Sequence, residues 1–452
     1  MNSLTEREEH ILGTGLGHFI PLVAYLGLWI ISLASLGGRP LLGLYYMLPF
    51  LPYRLMRDHF LDYPLGANML TILVLCVIVG ALIHGKRLPQ SKLYLIWFVF
   101  AIYLYLSMWA GTVLSNAPAP LWLSDANFVT WKDYMVIPLV FVAASLVIED
   151  RKAIRTVILI SAIALLLIDR SCILESMSRS WTSFDENKRG GGPLAYGSNQ
   201  TAAFLAQFAM FFWGFAQFLK RMKLKLFSYG LVAATLFATM YTFSRGGYLA
   251  VLFSVLILGL LKDRKLLPIL AVFLLTWQIV VPAPVRERVN MTEDSNGQLE
   301  ASAQERVDLW QNAEESFLHS PLVGNGYATF QLGEHVDNLK DTHNWYIKVL
   351  VETGLIGFLM AVALLQQLLA MSYRLYKYAI DPLYRGLGLG LFLATCSCIV
   401  ANFFGDRWTY LEITGLLWVL AGTAIRALQL SQSESNLEPY ETKVTSSYMV
   451  YR

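Results

Sequence analysis

LYLIWFVFAIYLYLSMWAGTVL, residues 93–114, runs without one charged side chain. About 20 apolar residues cross the hydrocarbon core of a bilayer as a helix. In that medium a helix satisfies all its own backbone N–H and C=O groups. Repetition decides the class. Comparable stretches occur at 17–37, 66–83, 134–149, 154–174, 198–219, 226–243, 247–261, 266–282, 343–371, 386–404 and 411–428. A further run, Pro40–Tyr53, is short. With its neighbour it makes either two tight crossings or one crossing plus a re-entrant piece. The expected fold is all-α, a polytopic bundle of about 12 transmembrane helices.

Composition agrees. Of 452 residues, 56% are hydrophobic and 15% charged, against roughly a quarter charged in an ordinary soluble domain. Twelve Trp, 23 Tyr and 25 Phe suit a chain with two membrane–water interfaces to anchor. A net charge of +3 with no basic run among stacking aromatics excludes nucleic acid as a partner. Cys76, Cys172, Cys396 and Cys398 lie in apolar runs and form no CxxC, so neither a disulfide framework nor a metal site is indicated. Residues 1–16 lack the basic start of a cleaved signal.

Orientation follows from Lys and Arg in the short loops. Five loops are basic: Lys86/Arg87/Lys92, Arg151/Lys152/Arg155, Lys220/Arg221/Lys223/Lys225, Lys262/Arg264/Lys265 and Arg374/Lys377/Arg385. All fall on one face, which is therefore cytoplasmic. The opposite face receives 112–132, 176–196, 244–247, 283–342 and the turn around Arg407. The chain divides into an N-terminal bundle, 1–282, a large outer loop region, 283–342, C-terminal membrane helices, 343–429, and a polar tail, 430–452, read as disordered and cytoplasmic.

Arginines on the outer face run against this charge rule. Arg179, Arg286 and Arg288 serve equally as snorkelling anchors or as ligand contacts. Arg245 stands between an apolar span and Gly246-Gly247, where backbone at a helix start can approach a ligand, and it suits a diphosphate. Ser198, Asn199 and Gln200 open a span with donors for sugar hydroxyls or phosphate oxygens, or Ser198 is an ordinary N-cap. In the long loop, Ser302-x-x-Glu305 reads as a capping box. Val307, Trp310, Ala313, Phe317 and Leu318 then recur at helical spacing, marking an amphipathic helix that lies on the membrane or caps the bundle. Gly324, Gly326 and Gly333 approach Asp341-Thr342-His343-Asn344. Capped by Asp341 or Thr342, His343 falls in the first turn of the next span. There the helix dipole favours a neutral ring able to accept a proton. A structural histidine bonding head groups is the alternative.

These residues carry a resemblance. HNWYIKVLVETGLIG resembles the signature of the O-antigen ligase and O-antigen polymerase family of bacterial membrane glycosyltransferases, through His343, Asn344, Gly354 and Gly357. ERVDLWQNAEESFLHSPLVGNGYATF is similar to the family's preceding stretch at Arg306, Trp310, Pro321, Gly324 and Gly326, and SRGG at 244–247 and GSNQTAAF at 197–204 stand in the expected places. The resemblance covers roughly 190–370 well.

It implies a GT-C-like fold in the bacterial inner membrane, with the active site facing the periplasm. A glycan would pass from undecaprenyl diphosphate to a hydroxyl of lipid A–core or a growing polysaccharide, with inversion and without a metal or other cofactor. His343, Arg245 and Arg306 would be catalytic, the arginines holding the departing diphosphate. Arg189, Ser198, Asn199, Gln200, Ser244, Arg288 and Asn344 would bind substrate. No Asp-x-Asp occurs in the chain. A protein O-oligosaccharyltransferase of the same family and a lipid-linked glycan transporter are the alternatives, the latter expected to show repeat symmetry and broken helices near the midplane.

Overall fold

The computed structural model describes residues 19–114, 125–178, 184, 189, 191–291, 301–332 and 342–448. Arg179, Lys188, Gly333 and Asp341 lie outside them. The described residues form helices and turns, with no strand among them.

In chain order the helices are α1 (Phe19–Leu36), α2 (Pro40–Met47), α3 (Arg54–Asp58), α4 (Met69–Ile83), α5 (Lys92–Leu114), α6 (Ala126–Val147), α7 (Arg151–Met177), α8 (Ser198–Ala216), α9 (Met222–Met240), α10 (Arg245–Leu261), α11 (Leu266–Val280), α12 (Ala283–Asn290), α13 (Ala301–His319), α14 (Thr329–Leu332), α15 (Trp345–Tyr378), α16 (Pro382–Ala401) and α17 (Leu411–Tyr448). Among the described residues, eight helices are long and apolar enough to cross a membrane, or up to 9 if α11 and α12, bent by 105°, count as one span. Helices α8, α9 and α10 occupy three further stretches read as spans. α17 carries the helix past residue 430, where the sequence reading begins the polar tail.

The five basic loops converge at one end of the bundle. Lys86 pairs with Glu149, and Arg151 with Asp381. Lys262 and Arg385 both stand over the Phe218 ring, at 4.7 and 5.0 Å. The outer segments gather at the other end, where Tyr196 packs on Tyr410 at 4.7 Å, Phe184 on Phe243 at 5.2 Å, and Arg245 donates to the Met291 carbonyl at 2.8 Å. Residues 40–68 carry the chain between the two ends in short pieces, because Pro49 and Pro52 lack the N–H a continuous helix needs.

Helix α15 is broken. Gly354 takes φ 63° and ψ −171° inside it. The carbonyls and amides freed at the break are taken by 321–326: Asn325 N donates to the Val351 carbonyl, Gly326 N to that of Glu352, Leu355 N to that of Pro321 and Ile356 N to that of Leu322. Tyr103 on α5 donates to the Thr353 carbonyl at 2.8 Å and Ser107 to the Glu352 carbonyl at 3.2 Å. Irregular backbone at such a depth survives only inside protein, with partners for its polar groups. A Cβ on Gly354 would stand 2.3 Å from the Leu322 carbonyl carbon, and one on Gly324 2.4 Å from the Thr353 nitrogen. Two signature glycines are therefore explained by backbone crossing backbone.

Helix α13 caps this region. Its buried stripe is Leu309 and Ala313, with Phe317 packed against the cluster of Ala313, Phe330 and Val351, whereas Leu318 is 67% exposed. Ser302 lies within the helix, so it is not the expected N-cap.

Candidate active site

Two groups of the sequence-predicted residues form at the end opposite the basic loops. In the first, Arg189 donates to Asn199 Oδ1 at 2.9 Å and to the Phe243 carbonyl at 3.3 Å. Phe243 lies in the left-handed region at φ 55°, just before Ser244. Ser244 caps α10 by accepting from Gly247 N. Arg245 is half-buried and donates to the Met291 carbonyl at 2.8 Å, at the end of α12. From α12, buried Arg288 lies 5.0 Å above the Phe184 ring, which in turn packs on Phe243. The helix starts at 198 and 245 thus bring together Arg189, Asn199, Ser244, Arg245 and Arg288.

Two expectations change here. Gly246 and Gly247 are buried, one against the Phe404 ring and the other against Ala202, so these glycines serve close packing of α10 and not ligand access. Gly197, at φ 93°, is the N-cap of α8 and Ser198 its buried first residue. Gln200 is half-buried in the same turn.

The second group surrounds His343. Asn344 is the N-cap of α15, its side-chain oxygen accepting from Tyr346 N and Ile347 N. His343 therefore precedes the cap rather than lying in the first turn; it is half-buried at φ 50°. A non-glycine residue in that region is held there by its surroundings. Trp310 Nε1 donates to the adjacent Thr342 carbonyl at 2.9 Å. Arg306 precedes Trp310 by four residues on α13, which places it one turn away on the same face.

The turn 402–410 joins the two groups, and sequence reasoning missed most of it. Phe404 meets Gly246, the Phe403 ring lies tilted 4.6 Å from that of Tyr346, and Trp408 lies 5.4 Å from Trp345. Asp406 is fully buried and accepts from Lys348 Nζ at 3.1 Å, from the amides of Trp408 and Thr409, and from the Thr409 hydroxyl. Burial pushes the Asp406 carboxyl up, but Lys348 and the Thr409 donors outweigh it and hold it below the usual carboxylate range. Arg407, 5% exposed, folds back on the Phe404 carbonyl. A signal existed in the sequence. Lys348 and Glu352 stand one turn apart inside an apolar run, and charge within a span marks a site.

Between Lys348 and the loops lies a cavity of about 520 Å³, lined by Arg54, Lys132, Tyr196, Tyr327, Lys348 and Tyr410 among others. Its cations have carboxylate neighbours. Arg54 lies 3.5 Å from Asp58, Lys132 is 3.1 Å from Asp133, and Arg57 pairs with Glu412. Arg54 also stands 4.1 Å above Tyr196, which packs on Tyr410 at 4.7 Å. Burial raises the Tyr196 and Tyr327 hydroxyls above the ordinary phenol range, so both are protonated donors at neutral pH. Aromatic faces beside balanced charges present fixed donors and acceptors with little net charge, a surface suited to sugar hydroxyls.

An all-helical, multi-pass membrane protein with one built polar end is the class these features define. Residues 230–362 match the family model described as O-antigen ligase, a family associated with membrane glycosyltransferase and ligase activity. The match covers less than a third of the chain and includes Arg245, Arg288, Arg306, His343, Asn344, Lys348 and Gly354. Arg189, Asn199 and the 402–410 turn lie outside it. Comparison with curated proteins gives no match.

Proposed function

We propose that the chain is a GT-C-like, metal-independent, inverting glycosyltransferase of about 12 membrane-spanning helices. It moves a glycan from undecaprenyl diphosphate to a sugar hydroxyl of lipid A–core or a growing polysaccharide. The observation that carries this reading is convergence. The family-matched Arg245, Arg288, Arg306 and His343, together with Arg189 and Asn199, belong to segments that meet through one turn at the bundle end opposite the five basic loops. With basic loops cytoplasmic, that end faces the periplasm of a bacterial inner membrane.

In the proposed step, the acceptor hydroxyl oxygen attacks the anomeric carbon from the face opposite the diphosphate. The bond from that carbon to the diphosphate oxygen breaks and its electron pair leaves with the lipid diphosphate. The hydroxyl proton passes to the neutral ring of His343. Arg245, Arg189, Arg288 and Arg306 hold the diphosphate, and guanidinium forks match its paired oxygens as its charge grows. Asn344 fixes the helix start that carries His343, and Ser198, Asn199, Gln200 and Ser244 border the donor side. The acceptor sugar occupies the cavity of Tyr196, Tyr327 and Tyr410.

The test is a deletion strain and a reconstituted reaction together. Bare core with accumulated lipid-linked polymer identifies a ligase, and core bearing a single repeat unit identifies a polymerase. A normal polysaccharide pattern in the strain, with no transfer by purified protein from a lipid diphosphate glycan, overturns the proposal.

A further inference from the structure

The basic end holds a second cavity, far from the candidate active site. It measures about 360 Å³ and lies between the start of α7, the link from α8 to α9, and the start of α16. Its floor is apolar and buried, formed by Ile158, Phe212, Phe215 and Leu231. Its lip is apolar and exposed, with Leu159 at 54% and Phe227 at 50%. Four cations rim it, Arg151, Arg155, Lys220 and Arg221, and among the described residues no carboxylate lines it. Nearby acids are occupied. Asp381 pairs with Arg151 and caps α16 through Leu383 N, and Asp150 caps α7 through Ala153 N.

Basic loops alone need only orient a membrane protein, and they do so as well on a flat surface. Here the cations stand over an apolar cavity of the size that holds small molecules, level with the ends of membrane helices. We propose that this cavity binds one anionic glycerophospholipid of the surrounding bilayer, its phosphate on Arg155, Lys220 and Arg221 and an acyl chain on the Phe212, Phe215 and Phe227 walls. Basic pockets between membrane helices recognise anionic head groups by this combination. A free phosphate would use the rim and leave the walls wet, so the lipid is the occupant to which both halves of the lining point. The inference requires a membrane-spanning chain and does not depend on what reaction the other end performs.

The experiment uses the full chain in nanodiscs made from phosphatidylcholine, phosphatidylethanolamine and phosphatidylglycerol, with bound lipid read by native mass spectrometry after detergent washing. Wild type should retain one phosphatidylglycerol in preference to the zwitterionic lipids. Arg155→Gln/Arg221→Gln should lower that preference roughly tenfold or more. Both side chains are exposed, so the thermal midpoint of this variant should stay at the wild-type value. Phe227→Gln should reduce retention of phosphatidylglycerol with both arginines in place. Equal retention of all three lipids, selectivity that survives the double substitution, or displacement of the lipid by inorganic phosphate alone would each overturn the assignment.

Discussion

Removing the Lys348 ammonium probes the turn that joins the two halves of the candidate site. Lys348 Nζ is 3.1 Å from Asp406 Oδ2, with side chains 10% and 0% exposed. Breaking a buried pair by removing one partner costs about 3–5 kcal/mol. Asp406 keeps the Trp408 and Thr409 amides and the Thr409 hydroxyl as donors. Those donors continue to hold its charge, so Lys348→Met should fall at the low end, about 3 kcal/mol. Asp406→Ala removes the acceptor of two buried amides as well, at about 1–3 kcal/mol each. It should therefore be the worse variant by about 2 kcal/mol or more. Trp345, Trp408 and Trp418 pack around this point, so tryptophan fluorescence during denaturant unfolding in micelles reports it. The double variant should cost less than the sum of the singles, because it leaves no lone ammonium. Equal costs, a reversed order or strict additivity would refute the pairing argument.

Other outcomes follow from the same geometry. Gly354→Ala meets backbone 2.3 Å away at φ 63° and should cost about 3 kcal/mol or more, whereas Gly230→Ala, with nothing within 4 Å, should be neutral or stabilising by up to about 1 kcal/mol; the two unfolding midpoints decide. Arg245→Lys should lose activity nearly as fully as Arg245→Ala, since lysine keeps the charge without the fork; full activity in the lysine variant would reduce the residue to a point charge. Asp406 has a folded-state value held below its unfolded one, so its contribution is complete above the unfolded value near 3.8 and is lost as pH falls through the folded value. Unfolding midpoints should then fall more steeply on acidification below about pH 4 in the wild type than in Asp406→Asn.

Much of the fold was legible because hydrocarbon permits few structures. The run at 154–174 lies within α7 and that at 93–114 within α5. Errors came where polar residues enter a span. α6 begins at Ala126, well before the expected 134, because Lys132 finds Asn68 and Asp133 as partners and can lie inside the helix. Pro40–Tyr53 could not be read, since its prolines leave short pieces whose path depends on neighbours. In the site, the arginines stood out as charges on the wrong face. The glycines misled: at 246 and 247 they admit Phe404 and Ala202. The Lys348–Asp406 pair spans 58 residues of sequence, and no local pattern announces a contact of that range.

The central claim rests on His343. The residue immediately precedes the N-cap of α15, half-buried, between Thr342, held by Trp310, and the cap Asn344. The measurement is transfer from a lipid diphosphate glycan by purified His343→Ala, beside its affinity for the same donor and its unfolding midpoint. The account predicts a midpoint near wild type, donor affinity within a few-fold, and transfer reduced about 10²–10⁴-fold. Near-normal transfer would contradict it and remove His343 from the chemistry, and lost donor binding would move the residue to the diphosphate.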